Sequence, residues 1–312
     1  MKKNVISRPI LPMRPLGRRI LGFASLLLLV LLGGAFAGSP LRAQVDLAGE
    51  WSENLHEDFP ERGDVAIGDY LSLPINDATR MRADTWDAEQ WTMVEHLCHA
   101  HPLDYAPRGP SQMRIWSDVD PLTQGVLAWH TIISYMLPER TIYMDGRPHP
   151  PEWAAHTWQG FSTGEWEGDM LKVTTTHLKE GWSRRNGLQR SDRATLIEYF
   201  IRHGNYFTLV TDVKDPVYLT EPLIRTSNWI MGLGGRLPSV YCIPSVEITH
   251  PKGYVAYHLR GQNAWLTEFA SRHEIPVEAT RGGAETMYPE YQEKMARMPH
   301  PPKLPELKER PQ

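Results

Sequence analysis

Short segments with a two-residue alternation occupy the middle of the chain, and they constrain its fold more than any other feature. They are rich in β-branched and aromatic residues, and turn residues separate most of them. The clearest cover 113–119, 126–132, 140–144, 170–178, 194–202 and 205–213. Because no helix-length pattern intervenes, a parallel sheet with crossover helices is excluded. The pattern predicts a mainly β fold, an antiparallel meander of six or more strands that forms a barrel, a half-barrel or a sandwich.

A few short peripheral helices are predicted beside this sheet. Helix formers behind the capping residues Asn76 or Asp77, and behind Asn263, begin two of them. The predicted helices cover 77–86, 264–273 and 285–298.

One domain is expected over residues 44–298, with an irregular C-terminal extension that includes a predicted strand within 239–249. The tail over 299–312 is rich in proline and charge. Such a composition buries too little apolar surface to fold, so the tail is predicted to be disordered.

The first 43 residues have the composition of an export signal. Lysine and arginine precede an apolar run over 20–38, and cleavage motifs of small residues end at Ala37 and Ala43. The run is also long enough to span a bilayer, so an uncleaved membrane anchor is the alternative. Glycine and proline at its end favour cleavage. The sequence therefore predicts a signal peptide over 1–43 and a periplasmic or secreted protein.

Removal of that segment changes the charge of the protein. The segment holds seven of the 33 lysine and arginine residues and none of the 37 acidic ones. The remainder carries 26 basic and 37 acidic residues, a formal net charge of −11. An acidic body without a basic stripe is a poor partner for phosphate backbones. Nucleic acid is therefore not expected as a partner, and a membrane is expected only through an uncleaved signal.

Two cysteines, Cys98 and Cys242, follow the predicted signal. In an oxidising compartment they can pair, and as free thiols they would be ordinary buried residues. The sequence leaves both states open.

Residues 96–102, HLCHAHP, form the densest group of metal-ligand side chains. His96, Cys98, His99 and His101 are donors that zinc accepts. Four ligands so close together rarely complete a tetrahedron, so a zinc site would need a distant residue such as Cys242 or His250. The alternative is a polar loop anchored by a disulfide.

Residues 160–164 match the G-x-S-x-G pattern of a hydrolase nucleophile elbow around Ser162. An elbow needs a helix directly after the serine, above a parallel sheet. Here EWEGD at 165–169 and a β-branched segment follow. We expect a hairpin turn with solvated acids, and a serine hydrolase is rejected.

His177 is the first candidate for acid–base chemistry. Within 170–178 it shares a strand face with Leu171, Val173 and Thr175, which predicts that it points into the barrel near the strand end. A histidine there can move a proton or contact a ligand, or it can be a hydrogen-bonded core residue.

His130 and Asp145 complete the set of candidate catalytic residues. His130 lies in 126–132, where both strand faces carry apolar side chains, so its orientation stays open. Asp145 follows the predicted strand 140–144 directly.

The connection MDGRPHPPEWAAHTW, residues 144–158, carries polar groups among tryptophans. This mixture on a loop at a barrel end is typical of the mouth of a small-molecule site, and also of an ordinary ordered loop. The candidate ligand-binding residues are Arg147, His149, His156 and Trp158, together with Trp129 of the strand 126–132.

Over roughly residues 45–250 the chain resembles a large family of exported bacterial proteins, and residues 144–175 carry the specific motif. The family core runs M-D-G-R-x-H-P and then T-W-x-G-x-S-x-G-x-W-E-G-D-x-L-x-V-x-T, which this chain matches from Met144 to Thr175. Residues 215–222, DPVYLTEP, are similar to a later family segment, with Glu221 altering its spacing. The family is mostly of unknown function and supplies no assigned catalytic residue. Its strand pattern implies a lipocalin-like or calycin-like barrel.

Three functional hypotheses result. The first is a periplasmic lipocalin-like protein that binds a small hydrophobic molecule, with no cofactor. The second is a cofactor-independent lyase, hydratase or isomerase in which His177 is the base, beside another histidine and Asp145. The third is a zinc-dependent hydrolase built on 96–101. Convergence of His177, His130 and His149 on one pocket would favour the second.

Overall fold

The computed structural model describes residues 45–54, 65–93, 96–108, 112–134, 136–232, 234, 237, 242–245 and 249–301. They belong to the compact unit Val45–Gln312. The predicted signal peptide lies outside the described residues, as do residues 302–312 of the predicted tail. Of the predicted strand within 239–249, the described residues have no regular structure.

The alternating segments form strands, and nine strands of the described chain close into a barrel. The mainly β prediction is confirmed. The barrel strands are β1 (Gly49–Glu53), β2 (Met113–Val119), β3 (Val126–Ile133), β4 (Glu139–Tyr143), β5 (Phe161–Glu167), β6 (Met170–Thr176), β9 (Thr195–His203), β10 (Tyr206–Lys214) and β11 (Leu223–Met231). Two short strands, β7 (Gly181–Trp182) and β8 (Gln189–Arg190), pair separately. Around the barrel the order is β1, β11, β10, β9, β6, β5, β4, β3, β2, and β2 returns to β1.

Apolar side chains fill the barrel interior. In β6, Leu171, Val173 and Thr175 are fully buried, while the residues between them are half-exposed, as the two-residue period predicts. The shared core includes Trp51, Met113, Ile115, Trp129, Ile133, Ile142, Leu171, Val173, Phe200, Phe207, Leu209 and Trp229. Phe207 contacts the rings of Trp51, Phe200 and Trp229 at centroid distances of 5.3, 5.6 and 5.7 Å. The interior is therefore a packed core.

A buried ion pair also lies in the barrel. The Arg140 guanidinium donates to both carboxylate oxygens of Glu198, at 2.6 and 3.2 Å, and both side chains are buried. Arg140 also lies over the ring of Phe200. Such a pair in a low-dielectric interior is stable only when both partners are present.

One neighbouring pair departs from the predicted meander. β4 and β5 are parallel, joined through Ile142 opposite Ser162 and Tyr143 opposite Thr163. Because β5 runs in the direction of β4, residues 144–160 must return to the end of the barrel where β4 begins. A crossover without a helix does this, so the expectation of a purely antiparallel sheet is wrong at this point.

The predicted helices form, with one interruption. Helix α1 (Asp77–Asp84) follows Asn76, whose side chain accepts from the backbone N–H of Thr79. Helices α2 (Glu268–His273), α3 (Val277–Thr280) and α4 (Pro289–Met295) follow later, with 3₁₀ turns at Ala88–Thr92, Ala106–Arg108, Ala264–Thr267 and Gly283–Met287. Pro289 divides the predicted helix 285–298, because proline cannot donate to the preceding turn. In the described part, every helix is too short or too polar to cross a bilayer.

A polar network holds the chain that covers one end of the barrel. Residues 177–194 connect β6 to β9 at this end, and Asp215 follows β10 there. Arg190 donates to buried Asp104 at 2.9 Å, and Ser183 donates to the same carboxylate at 2.5 Å. The backbone N–H and hydroxyl of Ser191 both donate to Asp215 at 2.7 Å. The segment is thus rigidly attached by charge-assisted hydrogen bonds.

Cys98 and Cys242 form a disulfide, with their Cα atoms 5.4 Å apart. The bond connects positions separated by 144 residues and settles the alternative that the sequence leaves open. Closing so long a loop removes conformational freedom from the unfolded chain, which stabilises the fold by about 2–5 kcal/mol.

Candidate functional site

His177 lies outside the barrel, so the prediction that it points inward is wrong. β6 ends at Thr176, and His177 has a positive φ of 57° that turns its side chain away from the line of Leu171, Val173 and Thr175. Its Nε2–H donates to the carbonyl oxygen of Pro151 at 3.0 Å. A strand pattern that breaks at its last residue no longer sets the side-chain direction.

The histidines of the crossover meet His177 on the outer face of the sheet. His149 Nδ1 is 2.7 Å from the hydroxyl of Thr176, and His149 Nε2 is 2.9 Å from that of Thr163. His156 Nδ1–H donates to the carbonyl of Leu178 at 2.9 Å, and its ring centroid is 5.2 Å from that of His177. These bonds attach the crossover to β5 and β6. Partial burial, followed by the nearby His177, lowers the pKa of His149.

His130 and Asp145 do not join this cluster. His130 is on the outer face, stacked on Trp116, with Nε2 2.9 Å from Asp118 and Nδ1 3.1 Å from the Thr141 hydroxyl. Among the described contacts, none connects His130 with His149 or His177. The three histidines therefore do not converge on one pocket, and the acid–base hypothesis lacks the arrangement it requires.

Asp145 forms a turn with Arg147. The guanidinium donates to both oxygens of the carboxylate and lies over the Tyr143 ring, 3.8 Å from its centroid. These hydrogen bonds lower the pKa of the exposed Asp145 carboxyl, which keeps it ionised. Trp129, predicted to contact a ligand, is 2% exposed in the packed core.

Ser162 is a buried strand residue. Its hydroxyl is 2.8 Å from that of Thr175 on β6, inside the barrel wall. Gly160, the first glycine of the pattern, has a φ of 66°, and a Cβ there would lie 2.5 Å from the carbonyl oxygen of Thr176. The G-x-S-x-G residues therefore serve strand packing, and Ser162 does not stand on a nucleophile elbow.

The disulfide removes Cys98 from the candidate zinc ligands. Cys98 is bonded to Cys242, so its sulfur cannot bind a metal as a thiolate. Within the described residues, no three His, Cys, Asp or Glu side chains are grouped as metal ligands would be. His101 packs against the rings of Tyr105 and Trp182.

Burial and then the nearby Arg185 lower the pKa of His101 to about 4. The ring is therefore neutral at pH 7 and acts as an aromatic packing residue beneath Trp182. Desolvation favours this neutral form.

Two adjoining cavities lie beside the layer that covers the barrel end, and together they form what we term the tryptophan cleft. Their volumes are about 680 and 250 Å³. Four residues line both: Arg82, Trp86, Gln90 and Gln189. The first cavity adds Ala78, Met81, Thr85, Tyr218, Val255, Tyr257 and Arg260, and the second adds Trp91, His96, Trp158, Glu180, Gly181 and Trp182.

The tryptophans that line the cleft are held in place by the packing of short segments against one another. Trp91, on the 3₁₀ turn Ala88–Thr92, stands edge to face between buried Trp86 and Trp182, at centroid distances of 5.7 and 4.3 Å. Gly187, with a φ of 88°, lets the neighbouring loop approach Trp86, because a Cβ there would lie 2.4 Å from the Trp86 Cβ. The crossover contributes half-buried Trp158.

Polar groups cross the middle of the cleft. Arg82 forms an ion pair with Glu180 and donates to the Tyr218 hydroxyl at 2.7 Å. The side-chain amide of Gln189 makes no hydrogen bond to the described residues. Gln90 uses its amide N–H to reach the Ala256 carbonyl at 3.0 Å. The cleft therefore combines flat apolar surface with a few donors and acceptors, the composition of a small-molecule site.

A third cavity of about 490 Å³ opens beside the parallel pair, between the start of β4 and residues 157–162. Trp158 lines it as well as the tryptophan cleft. Of the predicted ligand-binding residues, Trp158 is the one that the structure places at the cleft. His149, His156 and Arg147 instead hold the crossover.

Most residues of the cleft carry no local sequence signal that would group them. Trp86, Trp91 and Trp182 come from segments up to 96 positions apart, and no local period connects them. The one available signal was the high number of tryptophans, eleven, of which the strands account for only part.

These features define a class of protein: a barrel with a packed interior, a disulfide, and an aromatic cleft beside one end. Compared with known proteins, the chain matches no family model, no curated protein and no solved structure. The function is therefore inferred from the chemistry of the cleft.

Proposed function

We propose that this is an exported binding protein whose ligand, a small molecule with flat apolar faces, occupies the tryptophan cleft. As in the lipocalin-like hypothesis, the ligand is a small molecule with apolar surface. The proposed binding site, however, is the cleft and not the barrel interior. A ligand inside the barrel would have to displace Trp51, Trp129 and Trp229, which are at most 2% exposed.

One observation carries this proposal: Trp91 and Trp158 are only half-buried where they line the second cavity, of about 250 Å³, which shares four lining residues with the first, of about 680 Å³. Cavities of 300–1,000 Å³ are typical of small-molecule sites. An exposed indole face in water is unfavourable, and a ligand that covers it gains hydrophobic and stacking energy.

Export is part of the proposal. It is supported by the basic, apolar and small-residue succession over 1–43 and by the Cys98–Cys242 bond, which is stable in oxidising compartments. The resemblance of residues 144–175 to an exported bacterial family supports the same view.

Ligand capture tests the binding site. The disulfide-bonded chain 44–312 is titrated with the fluorescent probe 1-anilinonaphthalene-8-sulfonate and, separately, incubated with a bacterial metabolite extract, with retained compounds identified by mass spectrometry. Trp91→Ala and Trp158→Ala should each weaken binding about tenfold, equivalent to about 1.4 kcal/mol. Trp153→Ala is the matched control, because Trp153 is 87% exposed and does not line the cleft.

Binding that is unchanged in Trp91→Ala and Trp158→Ala, with native circular dichroism, would refute the cleft as the site. Strong binding that is lost only when Trp129 is replaced would show that the ligand binds inside the barrel.

Fractionation tests export. The full chain is expressed in a Gram-negative host, and the N-terminus is determined by mass spectrometry. We expect a periplasmic protein that begins at Gly38 or Gln44, with Cys98 and Cys242 oxidised. An intact Met1 in the membrane fraction would instead establish an anchor.

A further inference from the structure

The polar groups of the tryptophan cleft do not suit a purely apolar ligand. Such a ligand would strip water from the Arg82–Glu180 pair and from the Gln189 amide and return no hydrogen bonds. Burying an amide without a hydrogen-bond partner is unfavourable. Gln189 offers both a donor and an acceptor at the junction of the two cavities, so the ligand should carry groups that do both, as hydroxyls do.

The aromatic groups suit a saturated ring. Trp91 and Trp158 are half-buried and line the second cavity, so part of each indole is open to a ligand there. A pyranose has one face of C–H bonds that packs on an indole, while its hydroxyl groups point outward around the ring edge. The juxtaposition of indoles with Gln189, Gln90 and the Arg82–Glu180 pair matches both parts of such a molecule.

The charges beside the cleft are positive. Lys179 Nζ lies over the Trp158 ring at 5.5 Å, and the Arg185 guanidinium lies over the Trp91 ring at 5.4 Å. Arg260 lines the first cavity. These three side chains are exposed, and none forms an ion pair with a carboxylate of the described residues.

The acidic groups close to the cleft that the structure describes are already engaged. Glu180, which lines the second cavity, is paired with Arg82. Glu89 accepts from the hydroxyl of Tyr254 at 2.6 Å, and Asp87 faces His258 at 3.7 Å. In a chain whose exported part has a net charge of −11, a basic rim around a cleft attracts anionic ligands selectively.

We infer that the ligand is an acidic saccharide, with a uronic acid ring on Trp91 or Trp158 and its carboxylate toward Arg185 or Lys179. This inference rests on the proposed function, because it names the ligand class of the same cleft. The ring face supplies the apolar contact, the hydroxyl groups satisfy Gln189, and the carboxylate pairs with a cation that has no carboxylate partner among the described residues.

Matched trisaccharides test it by isothermal titration calorimetry on the disulfide-bonded chain 44–312. The acidic probes are α-1,4-trigalacturonate and β-1,4-trimannuronate. The neutral probes have the same linkages, with each carboxylate replaced by a hydroxymethyl group. We expect an acidic probe to bind at least tenfold more tightly than its neutral counterpart in 50 mM NaCl. The difference should shrink severalfold in 500 mM NaCl, because salt screens exposed charges.

Variants locate the charge contact. Arg185→Gln and Lys179→Gln should each weaken the acidic probe about fivefold and leave the neutral probe unchanged. Arg297→Gln, an exposed arginine outside the cleft, should change neither.

Equal affinity for acidic and neutral probes overturns the charge assignment. If no saccharide binds while 1-anilinonaphthalene-8-sulfonate still requires Trp91 and Trp158, the saccharide class is wrong and the proposed cleft survives. If that probe and the metabolite extract also fail to bind at the cleft, the proposed function itself is wrong.

Discussion

Tryptophans serve opposite purposes in the barrel and in the cleft. Trp51, Trp129 and Trp229 are at most 2% exposed and pack in one continuous core. In the cleft, Trp91 and Trp158 are only half-buried, and a cation lies over each ring. The same side chain thus fills space in one region and offers a surface in the other.

The ion pairs show the same contrast. Arg140–Glu198 is buried in the barrel, with side-chain exposures of 5% and 0%. Arg82–Glu180 in the cleft has exposures of 46% and 38%. Water can reach the second pair, so a ligand can replace that water. This contrast supports the proposal that the barrel is the scaffold and that the tryptophan cleft beside its end binds the ligand.

The largest contrast should appear when one tryptophan is removed from each region. Trp229→Ala leaves a cavity in the core and should lower the free energy of unfolding by about 3–5 kcal/mol. Trp158→Ala should lower it by less than about 1 kcal/mol, because that side chain is only half-buried. Urea denaturation at pH 7 measures both. Equal losses would mean that the cleft is part of the core.

Removing one partner of each ion pair sharpens the comparison. Arg140→Met leaves Glu198 charged in a dry interior and should cost about 3–5 kcal/mol, and adding Glu198→Leu should recover most of this. Arg82→Met should cost less than about 1 kcal/mol, because its pair is half-exposed. The measurement is again urea denaturation. A double variant as unstable as Arg140→Met would show that the pair itself holds the barrel together.

His101 gives the layer beside the barrel a pH dependence. Its pKa is about 4 in the folded protein, against an ordinary 6.5 in the unfolded chain. Above pH 6.5 the ring is neutral in both states and contributes nothing. As the pH falls from 6.5 to 4, the unfolded chain binds the proton first, and the unfolding free energy should fall by roughly 3 kcal/mol.

The His101→Phe variant lacks the titrating imidazole and serves as the reference, because it shares all other titrating groups with the wild type. The wild type should lose roughly 3 kcal/mol more than the variant between pH 7 and pH 4. Parallel pH profiles would place the folded pKa of His101 near its ordinary value.

The smallest effect is expected at the rim of the cleft. Arg185→Gln should change the unfolding free energy by less than about 0.5 kcal/mol, because Arg185 is exposed. It should nevertheless raise the pKa of His101, since Arg185 opposes protonation of that ring. An NMR titration of the imidazole C–H signals measures this. An unchanged pKa would show that burial alone sets it.

Local patterns predicted the elements because local physics forms them. The segments 194–202 and 205–213 became β9 and β10, joined at Gly204, and the side chain of Asn76 caps α1 as expected. Ser162 could be assigned to a strand from the residues that follow it. His177 could not be placed correctly, because one residue of positive φ at a strand end reverses the direction of a side chain.

The sequence by itself determined a β-rich fold, its hairpins, its short capped helices and the formal net charge of −11 carried by residues 44–312. These depend on neighbours within a few positions, where alternation, capping and turn residues act. The tertiary structure alone decided that the barrel is full, that β4 and β5 are parallel, and that Cys98 meets Cys242. The tertiary structure also placed Trp91 against Trp182, and in the same cavity as Gln189. Contacts between segments so distant in sequence depend on the packing of the whole molecule.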